Sequence, residues 1–301
     1  MDVAVVGSLN RDITVRVARH PALGETVLGQ SHVTGTGGKG ANQAMAAARL
    51  GAAVAMVGRV GDDEAGRALR AALEHEAVDA HHIAVDPDAG TGLALITLDD
   101  AAENAIVVSP GANGSVDAGD VEAAGDLIVS AAVVLVQLEV PVGAVLTAAG
   151  MARGHVVLNP APAQRLPDAL LERVTVLVPN RTELATLAGA TEAATTDEAA
   201  DQARSLGLPA AIAVTLGADG ALFVTPGEIG HVPAPPVAAV DTTGAGDAFC
   251  GALAAMLAGG AALDEAVRWA VHAGALATTR IGAQAALPTR DDVAEALRST
   301  S

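Results

Sequence analysis

Short aliphatic runs alternate with longer Ala-rich runs along nearly the whole of this 301-residue chain, and that alternation constrains the fold most. The strand-like runs are Val3–Gly7, Ala53–Val57, Val133–Leu138, Val156–Leu158, Val176–Val178, Ala211–Thr215 and Ala221–Val224. The helix-like runs are Ala41–Leu50, Glu64–Glu76, Val116–Ala124, Val142–Ala152, Ala169–Val174, Arg181–Leu187, Thr196–Leu206, Gly246–Gly259, Leu263–Thr279 and Arg290–Leu297. Alternating β and α predicts an α/β protein with a mostly parallel sheet, covered by helices on both faces. Such sheets bind ligands at the carboxyl ends of their strands. Two places break the pattern. Ile13–Val17 with Thr26–Thr34, and Gly92–Leu98 with Asn104–Ser109, read as strand pairs without intervening helices. The second pair is joined by the polar turn Asp99-Asp100-Ala101-Ala102-Glu103-Asn104. The expectation is one domain over 1–301, with a small β-sheet lid built from about 13–35 and 92–109 beside the core.

Bulk properties exclude several classes. Half the chain is hydrophobic (51%), yet no apolar run reaches the roughly 18 residues of a membrane helix. The first residues, Met1 to Gly7, lack a basic region and read as a strand rather than a signal peptide. One cysteine, Cys250, leaves no internal disulfide framework, and a cytoplasmic protein is expected. The net charge of −18 argues against nucleic-acid binding, which needs Lys and Arg on phosphates. Lys39 is the single lysine against 16 arginines, and it lies in a Gly-rich segment. Aromatics are limited to Phe223, Phe249 and Trp269, so a polar ligand would be held by hydrogen bonds rather than ring stacking.

The segment Asp241-Thr242-Thr243-Gly244-Ala245-Gly246-Asp247 opens a helix-like run. Small residues leave the backbone N–H groups uncovered. At a helix N-terminus those groups carry roughly half a positive charge, which suits phosphate. Asp247 then places a carboxylate beside the anion site, the arrangement that phosphoryl transfer to an alcohol requires.

Other polar clusters fall on the same predicted rim. Asn10 and Asp12 follow the first strand, and Glu139 follows Val133–Leu138. With Asp247 they make three carboxylates together, costly unless ligands or cations are present. Gly35-Thr36-Gly37-Gly38-Lys39-Gly40 matches a dinucleotide-binding spacing, but it follows a lid-like strand, and Gly40 replaces the Ser or Thr of a phosphate-binding P-loop. A hinge that brings Lys39 and Asn42 close to a small ligand fits better. Thr215-Leu216-Gly217-Ala218-Asp219-Gly220 is either an ordinary turn or a nucleotide loop. Asn180-Arg181-Thr182-Glu183 has the spacing of a helix capping box. His81 and His82 are adjacent, point apart and have no third ligand near. Cys250, one turn after Asp247, reads as a packing residue.

In this order the motifs resemble the ribokinase family of PfkB-type carbohydrate kinases, over essentially the whole chain. Asp241–Asp247 is similar to the C-terminal signature, and Gly37-Gly38-Lys39-Gly40-Ala41-Asn42-Gln43-Ala44 to the N-terminal one. Gly7-Ser8-Leu9-Asn10-Arg11-Asp12, Gln137-Leu138-Glu139 and Asn159-Pro160-Ala161-Pro162 resemble the ribose-phosphorylating members. The resemblance implies a three-layer α/β/α core with a lid, and ATP-dependent phosphorylation of D-ribose at O5. It assigns Asn10, Asp12, Gly38, Lys39, Asn42 and Glu139 to the sugar hydroxyls and Asp247 to the base. Backbone N–H groups of Gly244, Ala245 and Gly246 would face the transferring phosphoryl. Asn180, Thr215, Gly217, Ala218, Asp219, Gly220 and Gly246 would contact ATP, and Glu183 would organise Mg²⁺. A monovalent cation, K⁺ in the family, would sit at Asp241 with carbonyls of Thr243, Ala277, Arg280 and Gly282, and Ala286 at its edge. The chain departs from the family at Val271, beside His272, where members often place a polar side chain against adenine. A homodimer through the lid sheets is expected. Kinases of 2-deoxyribose, fructose or adenosine, and a non-catalytic sugar-binding protein, are the alternatives at this level.

Overall fold

A computed structural model describes residues 1–100 and 103–299. The strands are β1 (Val3–Val6), β2 (Asn10–Arg16), β3 (Ser31–Gly37), β4 (Val54–Gly61), β5 (Asp79–Asp86), β6 (Gly92–Leu98), β7 (Asn104–Ser109), β8 (Val133–Val136), β9 (His155–Leu158), β10 (Val176–Leu177), β11 (Ala211–Thr215), β12 (Ala221–Val224) and β13 (Ile229–Val232). The helices are α1 (Lys39–Arg49), α2 (Glu64–His75), α3 (Ala118–Ala123), α4 (Gly125–Ser130), α5 (Val142–Met151), α6 (Asp168–Leu171), α7 (Arg181–Ala188), α8 (Thr196–Ser205), α9 (Ala245–Ala258), α10 (Leu263–Ala277) and α11 (Arg290–Ser299).

Nine strands form one sheet in the order β13-β12-β11-β10-β9-β8-β1-β4-β5. From β11 to β5 every pairing is parallel; β12 and β13 extend it antiparallel. Alternation along β1 shows how the layers arise. Val3 and Val5 enter a core with Met45 of α1, Leu69 of α2, Leu253 of α9 and Val267 of α10. Ala4 and Val6 enter the opposite core with Val121 of α3, Val145 of α5, Leu170 of α6 and Leu184 of α7. Period-two side chains on a strand buried on both faces therefore produce two apolar layers and a three-layer α/β/α fold.

The second sheet has the order β3-β2-β6-β7. Its two hairpins, β2–β3 and β6–β7, are antiparallel, as the sequence leads one to expect, and a parallel β2–β6 pairing joins them. The first hairpin's return strand is Ser31–Gly37, not Thr26–Thr34. Leu28, which would have continued it, is almost fully exposed (91%) and has no apolar surface to join. The turn residues Ala101 and Ala102 lie outside the described residues. Two strands of the large sheet go unnoticed in the sequence, β5 and β13. Both are edge strands of mixed polarity, Asp-Ala-His-His-Ile-Ala-Val-Asp and Ile-Gly-His-Val, and neither makes an apolar run. No helix among the described residues is long and apolar enough to cross a membrane.

Candidate active site

Two helix starts converge at the carboxyl ends of the central strands. α1 begins directly after β3, across Gly38, whose φ of +90° a side chain would strain. A Cβ there would also meet Asn10 N and Ser8 O at 2.8 Å. α9 begins after Gly244, in the left-handed region at φ +78°. The two helices cross tightly because Gly251 of α9 has no Cβ; one would lie 2.6 Å from Gln43 O. This crossing brings Asp247, in the first turn of α9, against Asn42 and Gln43 near the start of α1.

Asp247 is buried, 7% exposed, with both carboxylate oxygens held by α1. Asn42 Nδ2 donates to Oδ2 and Gln43 Nε2 to Oδ1, both at 2.9 Å. Gln284 Nε2 donates to Asn42 Oδ1 (2.9 Å) and its own Oε1 accepts from the Thr36 hydroxyl of β3. Asp247 is also the largest influence on Lys39. It outweighs burial, and with Glu139 and Glu183 it holds the ammonium above its ordinary pKa, so Lys39 is charged at neutral pH.

The residues the resemblance assigns to the sugar lie close together. The Ser8 hydroxyl donates to Glu139 Oε2 (2.5 Å), which also accepts the Lys39 backbone N–H (3.1 Å). Asp12 stands on β2, and Gly37 leaves it room: a Cβ there would lie 2.1 Å from Asp12 Oδ2. Burial first, then the charges of Glu139 and Asp247, push the Asp12 carboxyl up to about 7. Desolvation without a compensating cation has this effect. Asn10 is oriented by Asn113, whose Nδ2 donates to Asn10 Oδ1 (2.7 Å) and whose Oδ1 accepts the Leu9 N–H (2.9 Å). Sequence reasoning overlooked Asn113, since it lies in the single turn Gly111–Ser115 after Pro110.

At the start of α9, the Ala245 N–H turns back to Thr242 O (3.2 Å). Gly246 and Asp247 are the first-turn donors facing outward, since a helix start leaves their N–H groups without intrahelical acceptors. A Cβ on Gly246 would meet nothing within 4 Å, so open space lies over this helix start. Nearby, Asn180 caps α7 with a reciprocal capping box, Glu183 N to Asn180 Oδ1 and Asn180 N to Glu183 Oε2, both 2.8 Å. The Glu183 carboxyl is nevertheless raised, by burial before all else. Thr215 pairs with Asn180, and the loop after it forms the turn Gly217–Asp219. Gly220 must be glycine there, since its φ is +90° and a Cβ would lie 2.0 Å from Val232 O. Beside this loop is a cleft of about 430 Å³ whose walls include Arg181, Thr195, Ala218 and Asp219 and none of Asn10, Asp12, Lys39, Asn42 and Glu139.

Asp241 organises the approach to α9. Its Oδ1 accepts Thr243 N–H (2.9 Å) and its Oδ2 accepts Gly282 N–H (2.8 Å), while Val240 and Asp241 N–H both reach Thr278 O. Burial raises the Asp241 carboxyl, but these donors outweigh it, and the net position is below the ordinary value. Segments 240–243 and 278–282 are thereby docked on each other. The Gly282 carbonyl already accepts from Ala286 N (3.3 Å). Cys250 is fully buried, and burial pushes its thiol well up, so it is an inert packing group.

Comparisons with known proteins agree with this geometry. A model of the pfkB family of carbohydrate kinases matches residues 1–290. The ribokinase of Haemophilus influenzae is 38% identical over 302 residues, covering 98% of each chain. The deoxyribokinase of Salmonella typhimurium is 36% identical over 304 residues, covering 99% of each. The structure of Arabidopsis thaliana ribokinase with ribose and ATP superposes with a TM-score of 0.90 at 31% identity, covering 99% of this chain and 98% of that one. The buried carboxylate at an open helix start, the polar cluster beside it and these likenesses lead to one conclusion: the chain belongs to the pfkB family of carbohydrate kinases.

Proposed function

We propose that the protein is a ribokinase, transferring the γ-phosphoryl group of ATP to O5 of D-ribose. The carrying observation is Asp247: a buried carboxylate, fixed at both oxygens, in the first turn of a helix whose N-terminus is open. Asn10, Asp12, Gly38, Lys39, Asn42 and Glu139 hold the sugar hydroxyls and set O5 against Asp247. Asp247 accepts the O5 proton as the phosphoryl group arrives. A weak base suffices because the transition state is loose and little proton removal is needed early. The N–H groups of Gly244, Gly246 and Asp247 and the Lys39 ammonium face the charge on the transferring group, fixed dipoles that need no reorganisation.

ATP lies along Asn180 and the loop 215–220, with its phosphates toward Gly246. Its Mg²⁺ is held chiefly by phosphate oxygens, with Glu183 ordering the ion's waters, since Mg²⁺ keeps several waters and uses few protein ligands. Among the described residues no group of three His, Cys, Asp or Glu could hold a metal ion alone. A monovalent cation, K⁺, would lie beside Asp241 with carbonyls of Thr243, Ala277, Arg280 and Gly282, and Ala286 at its edge. An all-oxygen set with one carboxylate suits a large hard cation, and the docking of 240–243 on 278–282 supports this. Its charge would steady the anion site.

The small sheet acts as a lid that excludes water from ATP. Leu95 and Val107 are exposed on the face of this sheet turned away from Asp12, and pairing of two lids there would cover them in a homodimer. The single buried thiol, Cys250, accords with a cytoplasmic setting.

The test is ADP release with D-ribose, 2-deoxyribose, fructose and adenosine, each with and without K⁺. Ribose-dependent release that rises with K⁺ is the expected result. Preference for 2-deoxyribose is the second reading, favoured by the deoxyribokinase relative. No turnover with any acceptor would refute the kinase assignment.

A further inference from the structure

Behind the carboxylate of Asp247 lies a chain of buried amides. Gln43 is fully buried, and its single Nε2 serves two acceptors, Asp247 Oδ1 at 2.9 Å and Asn159 Oδ1 at 3.1 Å. Its Oε1 accepts from Gln137 Nε2 at 2.7 Å. The direction of every amide in this chain is dictated from its ends. Asn159 Nδ2 donates to the Val178 carbonyl (3.0 Å), which can only accept. Asn159 therefore turns its oxygen toward Gln43. A carboxylate also only accepts, so Gln43 must offer its NH₂ to both, and its oxygen is left for Gln137.

The chain ends at a cost. Gln137 is fully buried, and its Oε1 receives no hydrogen bond among the described residues. Reversing the Gln137 amide does not help, because two oxygens would then face each other across 2.7 Å. A buried acceptor left unpaired is destabilising, and such groups are rare in scaffolds. Here the arrangement gains a fixed donor under the reacting carboxylate.

We infer that Gln43 is a positioning residue for phosphoryl transfer, holding the plane of the Asp247 carboxylate, and that Gln137 and Asn159 set the direction of its amide. The inference rests on Asp247 being the base. The carboxylate torsion of an Asp is broad and roughly two-fold, so side-chain preference does not hold it. Asn42 restrains one oxygen and Gln43 the other, from adjacent positions on α1. Asn42 depends on Gln284 and on the lid residue Thr36, whereas Gln43 is tied to the ends of β8, β9 and β10, in the rigid core. Gln43 is thus the restraint that persists when the lid moves.

The experiment is a double-mutant cycle on the full-length protein, combining Gln43→Met with Asp247→Asn, read as kcat and KM for ribose and ATP. Gln43→Met is expected to lower kcat about 10- to 100-fold, the range for losing a hydrogen bond to a charged group. KM values for both substrates stay within about threefold, since Gln43 touches neither. In the Asp247→Asn background the same change lowers the residual rate less than about twofold, because the restraint has lost what it restrains. An equal loss in both backgrounds would overturn the positioning role, and so would an unchanged kcat in Gln43→Met. Near-normal turnover of Asp247→Asn would instead overturn the base assignment beneath it. Should Gln43→Met not fold, Gln137→Met carries the same test one step further out. Its expected loss is about three- to tenfold, again absent in the Asp247→Asn background. An unchanged kcat there refutes the inference.

Discussion

Replacing Gly251 by alanine should damage catalysis far more than stability. The new Cβ would lie 2.5 Å from Ala46 Cβ, 2.6 Å from Gln43 O and 2.8 Å from Ala47 N. None of these atoms can rotate away, as each is backbone or bonded directly to it. α9 must therefore withdraw from α1 by about 1 Å before ordinary contact is restored. Overpacking of this kind costs about 1–3 kcal/mol, offset by about 1 kcal/mol from the better helix propensity of alanine. The net of about 1 kcal/mol lowers Tm by roughly 1–2 °C in a protein of this size. Asp247 lies four residues before Gly251, on the same helix face. Its two bonds to α1, at 2.9 Å, would be stretched toward the limit of hydrogen bonding. A displacement of about 1 Å in a reacting group can cost about 100-fold in rate. The expectation is thus a kcat reduced about 10- to 100-fold in a protein that melts almost normally. A coupled assay of ADP release and scanning calorimetry on the same preparation measure both. Wild-type kcat in a folded variant would refute the claim that the α1–α9 gap sets the site. A Tm loss above about 10 °C would refute the energetic reasoning.

Four further outcomes follow from the site. The Asp12 carboxyl titrates near 7 in the folded chain against an ordinary 3.8, so its contribution to stability is full below about pH 4 and lost as pH rises through 7. Asp12→Asn should flatten that part of the decline in sugar-free urea melts; an identical pH slope would contradict it. Asn113→Ala should raise KM for ribose about tenfold while leaving KM for ATP alone, because Asn10 loses its brace; steady-state kinetics decide. Asp241→Asn leaves one of Thr243 N–H and Gly282 N–H without an acceptor, and should abolish the difference in kcat between K⁺ and choline buffers. Val107→Asp, on the exposed face of the small sheet, should convert a dimer to monomer in a sedimentation run at micromolar concentration.

The layers of this fold are legible in the sequence because central strands are buried on both faces and must be aliphatic, as Val133–Val136 shows with four fully buried residues. Edge strands escape notice for the converse reason. β5 buries Ala80 and Ile83 but exposes the His81 side chain, and no apolar run results. Glycine and carboxylate motifs announce the site, since their chemistry is unusual at those spacings. The amides that orient it are silent. Gln43, Gln137, Asn159 and Gln284 lie up to 248 residues apart from their partners, and a glutamine alone does not reveal whether it faces water or another amide.

In the ribokinase proposed above, the sugar site is divided between two bodies. Asn10 and Asp12 belong to β2 of the small sheet, whereas Asn42, Glu139 and Asp247 belong to the large one and its helices. Only Gly38 separates the end of β3 from the start of α1. Any tilt of the small sheet therefore draws one half of the hydroxyl-binding set away from the other. On that proposal, recognition and enclosure become a single event, with no separate detector for an occupied site. The sugar itself would then be the latch, and a molecule lacking the hydroxyls that reach both halves would leave the door ajar.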